Sequence, residues 1–199
     1  MARQQKHRQP IINAAVTLFR RQGYASTGLN EIVDASNAPK GSLYYYFPEG
    51  KTSIAVAAVT EAGERVVETL EQLCSKSQTT ADLIKSHARL LAGWMKKSNY
   101  RDGCPITTVL LELAPQERLI SQAGRTAYNA RINILCAKLK ADGFSREHAK
   151  CLAQLCTSAL QGSLIQARVE RSGKPILTTA DEMAKMLELM LSTENKGEE

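Results

Sequence analysis

Seventeen consecutive residues, Glu31 to Phe47, constrain this chain more than any other stretch. Ile32 and Ala35 stand three apart, the spacing of one helical face, and Asn37-Ala38-Pro39 stops that helix because proline disfavours helical geometry in the residue before it. Pro39 is tolerated in the first turn of a second helix. Lys40, Gly41 and Ser42 open that helix with unspent backbone N–H groups, and Leu43 and Phe47, four apart, turn inward together. Tyr44, Tyr45 and Tyr46 are left facing outward. Two short helices joined by so tight a turn make a helix-turn-helix, whose second helix lies in the DNA major groove and presents its N-terminal residues to base edges.

The distribution of charge agrees with that reading. Residues 1–51 hold seven Lys/Arg against three Asp/Glu, and the rest of the chain nineteen against seventeen, so the basic excess accompanies the motif. Such asymmetry favours a polyanion, and double-stranded DNA is the one the motif suggests, although a basic surface also serves solubility alone. With 199 residues, 43% hydrophobic and 23% charged, the chain is long enough to bury a core as one or two domains. No apolar run approaches the roughly 18–20 residues of a membrane span, and the N-terminus lacks a signal-peptide apolar region, so a cytoplasmic protein is expected.

Catalysis has little to work with here. The three histidines (His7, His87, His148) join no His-Glu-x-x-His or Glu-x-x-His pattern, and neither Gly-x-Ser-x-Gly nor a glycine-rich phosphate loop is present. Five cysteines, odd in number and without a Cys-x-x-Cys pair, argue against a disulfide framework or structural zinc. Neither an enzyme, a cofactor nor a metal site is expected.

Helical periodicity runs through the rest of the chain and predicts an all-α protein of about nine helices. Residues 1–7 read as a basic arm. Ile12, Ala15, Val16 and Phe19 mark a first helix from about Arg8 that Gly23 ends, and Thr27 reads as the N-cap of the next. A long helix opens at Lys51 and reaches about Ser75. Thr80 reads as the cap of a helix carrying Leu83, His87, Leu90, Leu91 and Trp94, in which His87 is expected to be a satisfied core histidine. Cys104-Pro105 starts a short apolar helix, and another runs from about Gln116 to Ala141 with Leu119 on its apolar face, ahead of Gly143. Ser145 caps a helix to about Arg171, and Thr179-Ala180-Asp181-Glu182 reads as the capping box of the last, which frays from about Thr193.

Thr27, Ile32 five positions on, Pro39-Lys40-Gly41-Ser42-Leu43-Tyr44-Tyr45-Tyr46-Phe47 and Lys51 together resemble the N-terminal DNA-binding domain of the TetR family of transcriptional regulators. Gly103-Cys104-Pro105, Gln161 to Arg168 and the Gly-Lys-Pro segment before the last helix resemble the C-terminal domain of the family's LmrA/YxaF branch. The resemblance implies a three-helix DNA-binding domain over residues 1–50 and a helical effector-binding and dimerising domain over 51–199. It also implies a repressor that binds operator DNA as a dimer and is released by a small molecule. It places DNA contacts at Thr27, Lys40, Gly41, Ser42, Tyr44, Tyr45, Tyr46 and Lys51. A lysine can reach guanine O6/N7, and Lys51 at a helix start suits a phosphate oxygen. Tyr46 could equally pack, and Gly41 could be a plain helix-start glycine. Pro39 and Gly28 depart from the serine or threonine common in relatives, which leaves the operator contacts open.

Two further expectations concern the second domain. The small-residue stripe Ala149, Leu152, Ala153, Cys156, Ala159, Leu160, Gly162, Ser163 and Ala167, with Met183, Leu187 and Met190, is expected to form an isologous four-helix interface between two copies. Leu91, Trp94, Met95, Cys104, Ile106, Val109, Leu110 and Tyr128 are expected to line an effector pocket. So apolar a set suits a hydrophobic, aromatic compound, neutral or weakly acidic, unless these side chains only fill the core. Cys104, at a helix start near Arg101, also admits a thiol-based redox or electrophile sensor, since helix N-termini and cations favour the thiolate. Its Gly-Cys-Pro setting is read first as a tight turn with a packed thiol.

Overall fold

The computed structural model describes residues 6–194, and the described residues form nine α-helices and no strand. The helices are α1 (Arg8–Gln22), α2 (Leu29–Ser36), α3 (Lys40–Tyr46), α4 (Lys51–Cys74), α5 (Thr80–Lys97), α6 (Pro105–Leu113), α7 (Arg118–Ala141), α8 (Arg146–Glu170) and α9 (Lys174–Glu194). The basic arm expected over residues 1–7 and the fraying expected from about Thr193 lie largely outside the described residues. No described helix is long and apolar enough to cross a membrane.

The chain packs as two compact units. One comprises Met1–Arg65 with Gly103–Tyr128, the other Val66–Asp102 with Asn129–Glu199. In the first, Ile12, Val16 and Phe19 of α1, Ile32 of α2 and Leu43 of α3 are buried together with Phe47. Ile54, Ala58 and Ala62 of α4 and Ile106 and Val109 of α6 extend that core. Three short helices bury too little surface to stand alone, and burial of further apolar side chains stabilises the unit by roughly 25 cal/mol per Å². In the second, Leu83 and Ile84 of α5, Leu135 and Leu139 of α7, Leu152 and Leu160 of α8, and Ile176 and Leu187 of α9 make the core.

The helix ends follow local chemistry, with three departures from expectation. Gly23 ends α1 at φ +84°, and Ser145 caps α8 by accepting the His148 N–H at 3.2 Å. The N-cap of α2 is Gly28, not Thr27; that of α5 is Thr79, not Thr80. The Thr79 hydroxyl accepts the Asp82 N–H at 3.1 Å while the Asp82 carboxylate accepts the Thr79 N–H at 3.2 Å, a reciprocal cap. Thr80 is buried, with its N–H donated to Asp142 at 2.6 Å. The third departure is α9, which begins at Lys174: Pro175 fits a first turn, so Thr179 lies inside the helix. Leu119 is half exposed, and the inward position at the start of α7 belongs to Ile120.

His87 is buried as expected. Its imidazole is held neutral, pushed from 6.5 to about 3 by burial and then by the charge of Arg131, itself buried.

Candidate nucleic-acid interface

Asn37 makes the turn between α2 and α3 in the left-handed region, at φ 51°, where asparagine is among the tolerated residues. Its N–H donates to the Asp34 carbonyl, and Ser36 Oγ accepts the Ala38 N–H at 3.3 Å. Ala38 is buried beside the turn, and Pro39 then starts α3. Leu43 and Phe47 anchor one side of α3 in the core, which fixes the rotation of the helix. Lys40 and Gly41 are exposed and Ser42 is half-buried; Tyr44 and Tyr45 stand 50% and 65% exposed. Nothing lies within 4 Å of where a Gly41 side chain would begin, so backbone can approach another molecule closely there. Tyr46 is half-buried, packs on the core and meets Tyr45 edge-on with ring centroids 5.0 Å apart.

The loop between α1 and α2 is tied down from three sides. Gln22 at the end of α1 donates to both Glu31 carboxylate oxygens, at 3.0 and 2.9 Å, and to the Ser26 carbonyl. Glu112 of α6 accepts the Tyr24 N–H at 2.7 Å and the Ala25 N–H at 2.6 Å. Lys51, at the start of α4, donates to the Ala25 carbonyl at 3.3 Å with its ammonium over the Tyr24 ring. Burial lowers the Lys51 ammonium below its ordinary value, and the Glu112 charge works the other way. Lys51 is therefore half-buried in the loop rather than extended into solvent. One hydrogen bond leaves two of its three donors for another acceptor.

Thr27 is buried and its hydroxyl donates to the Gly23 carbonyl at 2.7 Å, closing the loop from within. That corrects both its reading as a cap and its place among surface DNA contacts. Sequence reasoning missed Glu112. Its partners are backbone groups far back in the chain, which no local pattern announces.

The small-residue stripe is also corrected. Ala149, Leu152, Ala153, Cys156, Leu160, Ser163 and Ala167 of α8 and Met183 and Leu187 of α9 are buried within the single chain, where α5, α8 and α9 pack on one another. Small residues allow close approach, and here the approach is between helices of one chain. Ala159 and Met190 are half-buried, and Gly162 alone of the set is exposed. The face of α8 left open carries Cys151, Leu155, Ser158, Gly162, Ile165 and Val169, at alternating steps of four and three. On it Leu155, Ile165 and Val169 are 47%, 57% and 79% exposed.

The effector set is split. Leu91 and Met95 join the core of the second unit, whereas Cys104, Ile106, Val109, Leu110 and Tyr128 join that of the first, and Trp94 is half exposed. Tyr128 and Thr107 share a hydrogen bond at 3.1 Å. Cys104 stands at the N-cap position of α6, half-buried, its carbonyl accepting the Thr108 N–H. Cys156 is buried, and burial pushes its thiol up to about 11, away from the thiolate chemistry of a sensor. Among the described residues, no group of three His, Cys, Asp or Glu side chains could hold a metal ion.

Comparison with known proteins gives the same outline. Residues 11–58 match the model for bacterial regulatory proteins of the tetR family, and residues 80–182 match that for the C-terminal domain of LmrA/YxaF-like transcriptional regulators. The uncharacterized HTH-type transcriptional regulator YxaF of Bacillus subtilis is 32% identical over 88% of this chain and 92% of its own length. The HTH-type transcriptional regulator LmrA of the same organism is 29% identical over 85% of this chain and 90% of its own. Among solved structures, the regulatory protein TetR from Rhodobacter sphaeroides superposes with a TM-score of 0.80 at 20% identity, over 90% of this chain and 97% of that one. The transcriptional regulator FadR from Bacillus subtilis, solved in complex with stearoyl-CoA, does so at 0.67 and 19% identity, over 90% and 97%. The matching families and relatives are regulators of transcription rather than enzymes, and the chain belongs to the TetR family, with a C-terminal domain of the LmrA/YxaF-like kind.

Proposed function

We propose that the protein is a repressor that binds operator DNA as a homodimer and is released by a small hydrophobic, aromatic effector. The observation that carries the DNA reading is the two-sided α3: Leu43 and Phe47 buried on one side, Lys40, Gly41, Tyr44 and Tyr45 exposed on the other. On this reading Lys40 and Ser42 meet base edges, Gly41 lets the backbone close on the groove, and Tyr44, Tyr45, Tyr46 and Lys51 meet phosphate. The division of roles, 1–50 for DNA and 51–199 for effector and dimerisation, is one of function; packing divides the chain elsewhere.

A two-fold operator calls for two recognition helices one helical turn apart, so the second copy is part of the proposal. The open α8 face, with its four-and-three spacing, suits pairing with its own symmetry copy. Release follows when an effector re-spaces the two recognition helices, with no contact between effector and DNA. Support for a small-molecule effector is the relationship to LmrA/YxaF-like domains and a fold shared with a regulator captured with stearoyl-CoA.

Selection of bound fragments from genomic DNA tests the reading. Enrichment of one inverted-repeat sequence, released by an aromatic compound that also alters Trp94 emission, is the expected result. Retention of fragments without sequence preference would overturn it.

A further inference from the structure

Glu112 sits on α6, outside the helix-turn-helix, yet its two carboxylate oxygens take the consecutive N–H groups of Tyr24 and Ala25. Each oxygen thus satisfies one donor, and only a carboxylate offers two equivalent acceptors in that spacing. The fit is close: Gly23 has φ +84°, and a side chain built there would run into the Glu112 carboxylate. At the opposite end of α6 the Gly103 N–H donates to the Arg20 carbonyl at 2.7 Å, so both ends of this short helix are fastened to the end of α1 and the loop after it. Ala25 completes the chain of contacts. Its N–H goes to Glu112 and its carbonyl receives the Lys51 ammonium, which also lies 4.2 Å from the centroid of the Tyr24 ring. One residue, Ala25, is therefore held by its N–H to an acid from α6 and by its carbonyl to a base from α4.

We propose that Glu112 is a positioning residue for DNA binding: through the backbone of Tyr24 and Ala25 it sets the Lys51 ammonium where the phosphate backbone meets it. The inference rests on the DNA reading above and adds a residue from outside the helix-turn-helix to it. It has an unusual sign. A carboxylate beside a DNA-binding surface that only carried charge would repel phosphate, so removing it would tighten binding. A carboxylate that positions a cation has the opposite effect, because an unfastened lysine spends its contact energy on being ordered.

The test is binding to a labelled random-sequence DNA duplex, followed by fluorescence anisotropy across a potassium chloride series. The parent, Glu112→Ala, Glu112→Gln, Lys51→Ala and the Glu112→Ala/Lys51→Ala pair are compared after circular dichroism has shown each to be helical. Glu112→Ala is expected to weaken binding roughly tenfold, the scale of one charge-assisted contact, and to flatten the salt slope by about 0.9, one phosphate. Glu112→Gln, which keeps the volume and one acceptor, should fall between Glu112→Ala and the parent. The double variant should bind no more weakly than Lys51→Ala, because a residue acting only through Lys51 has nothing left to position. Equal or tighter binding by both Glu112 variants, or additive losses in the double variant, would overturn the inference. A parent with no salt-dependent binding would instead remove the DNA reading itself.

Discussion

The Lys51 ammonium lies 4.2 Å from the centroid of the Tyr24 ring and donates to the carbonyl of the next residue, Ala25. A cation held in this way has already lost most of its side-chain freedom before DNA arrives. Preorganisation of that kind favours a phosphate contact. Lys51→Ala should weaken binding uniformly across sequences and flatten the salt dependence by about 0.9 in log–log slope, whereas loss of a phosphate contact at Tyr44 in Tyr44→Phe should weaken binding uniformly without changing that slope, because a neutral hydroxyl displaces no counterion. Unchanged affinity in both variants and an unchanged slope in Lys51→Ala, measured by anisotropy, would count against the docking.

Lys40 should behave differently. It is exposed at the first position of α3, so Lys40→Ala is expected to relax base preference at one position in each half-site, by about 1–3 kcal/mol of discrimination. Competition between duplexes differing at single positions reads this out. A uniform loss across all of them would make Lys40 a phosphate contact instead.

Much of the first unit was legible in the sequence, and the reason is periodicity. Leu43 and Phe47 four apart, with Phe19 and Ile32 on the facing helices, specify which side of α3 is buried and therefore which side is offered. Adjacent threonines were not separable in that way. Thr79 and Thr80 have the same cap chemistry, and only the backbone path decides that Thr79 caps while Thr80 is buried. Glu112 was invisible because its partners are main-chain groups 88 and 87 residues earlier. The buried members of the stripe from Ala149 to Ala167 were recognised as a packing face but assigned to a second copy, since residue size shows that helices approach closely and not whether they share a chain; Gly162 alone of the stripe lies on the open face.

Assembly tests the corrected surface. Leu155→Glu or Ile165→Glu, on the exposed α8 face, should yield a folded monomer in sedimentation, because each puts an unpaired charge into an apolar contact. A bulky charge at Ala153, buried inside the chain, should instead unfold the second unit. A dimer that persists in both surface variants would require another interface.

His87 gives the protein a pH-dependent stability. Its folded-state pKa is depressed from 6.5 to about 3, by burial first and Arg131 second, so between those values the unfolded chain binds a proton that the folded chain does not. The contribution is fully present above about pH 6.5 and is lost as pH falls toward 3, at up to about 1.4 kcal/mol per unit. Urea unfolding of His87→Gln should show a shallower loss between pH 6 and pH 4 than the parent, these two values lying inside the window set by that shift. Parallel curves would mean that His87 titrates normally in the fold.

The central claim is that two copies of α3 read one operator, and hydroxyl-radical footprinting on a fragment selected from genomic DNA tests it most directly. The account predicts two protected half-sites on one face of the duplex, their centres about 34–36 Å apart and related by inverted symmetry. Protection of a single half-site, or of tracts with no common sequence and no symmetry, would contradict it.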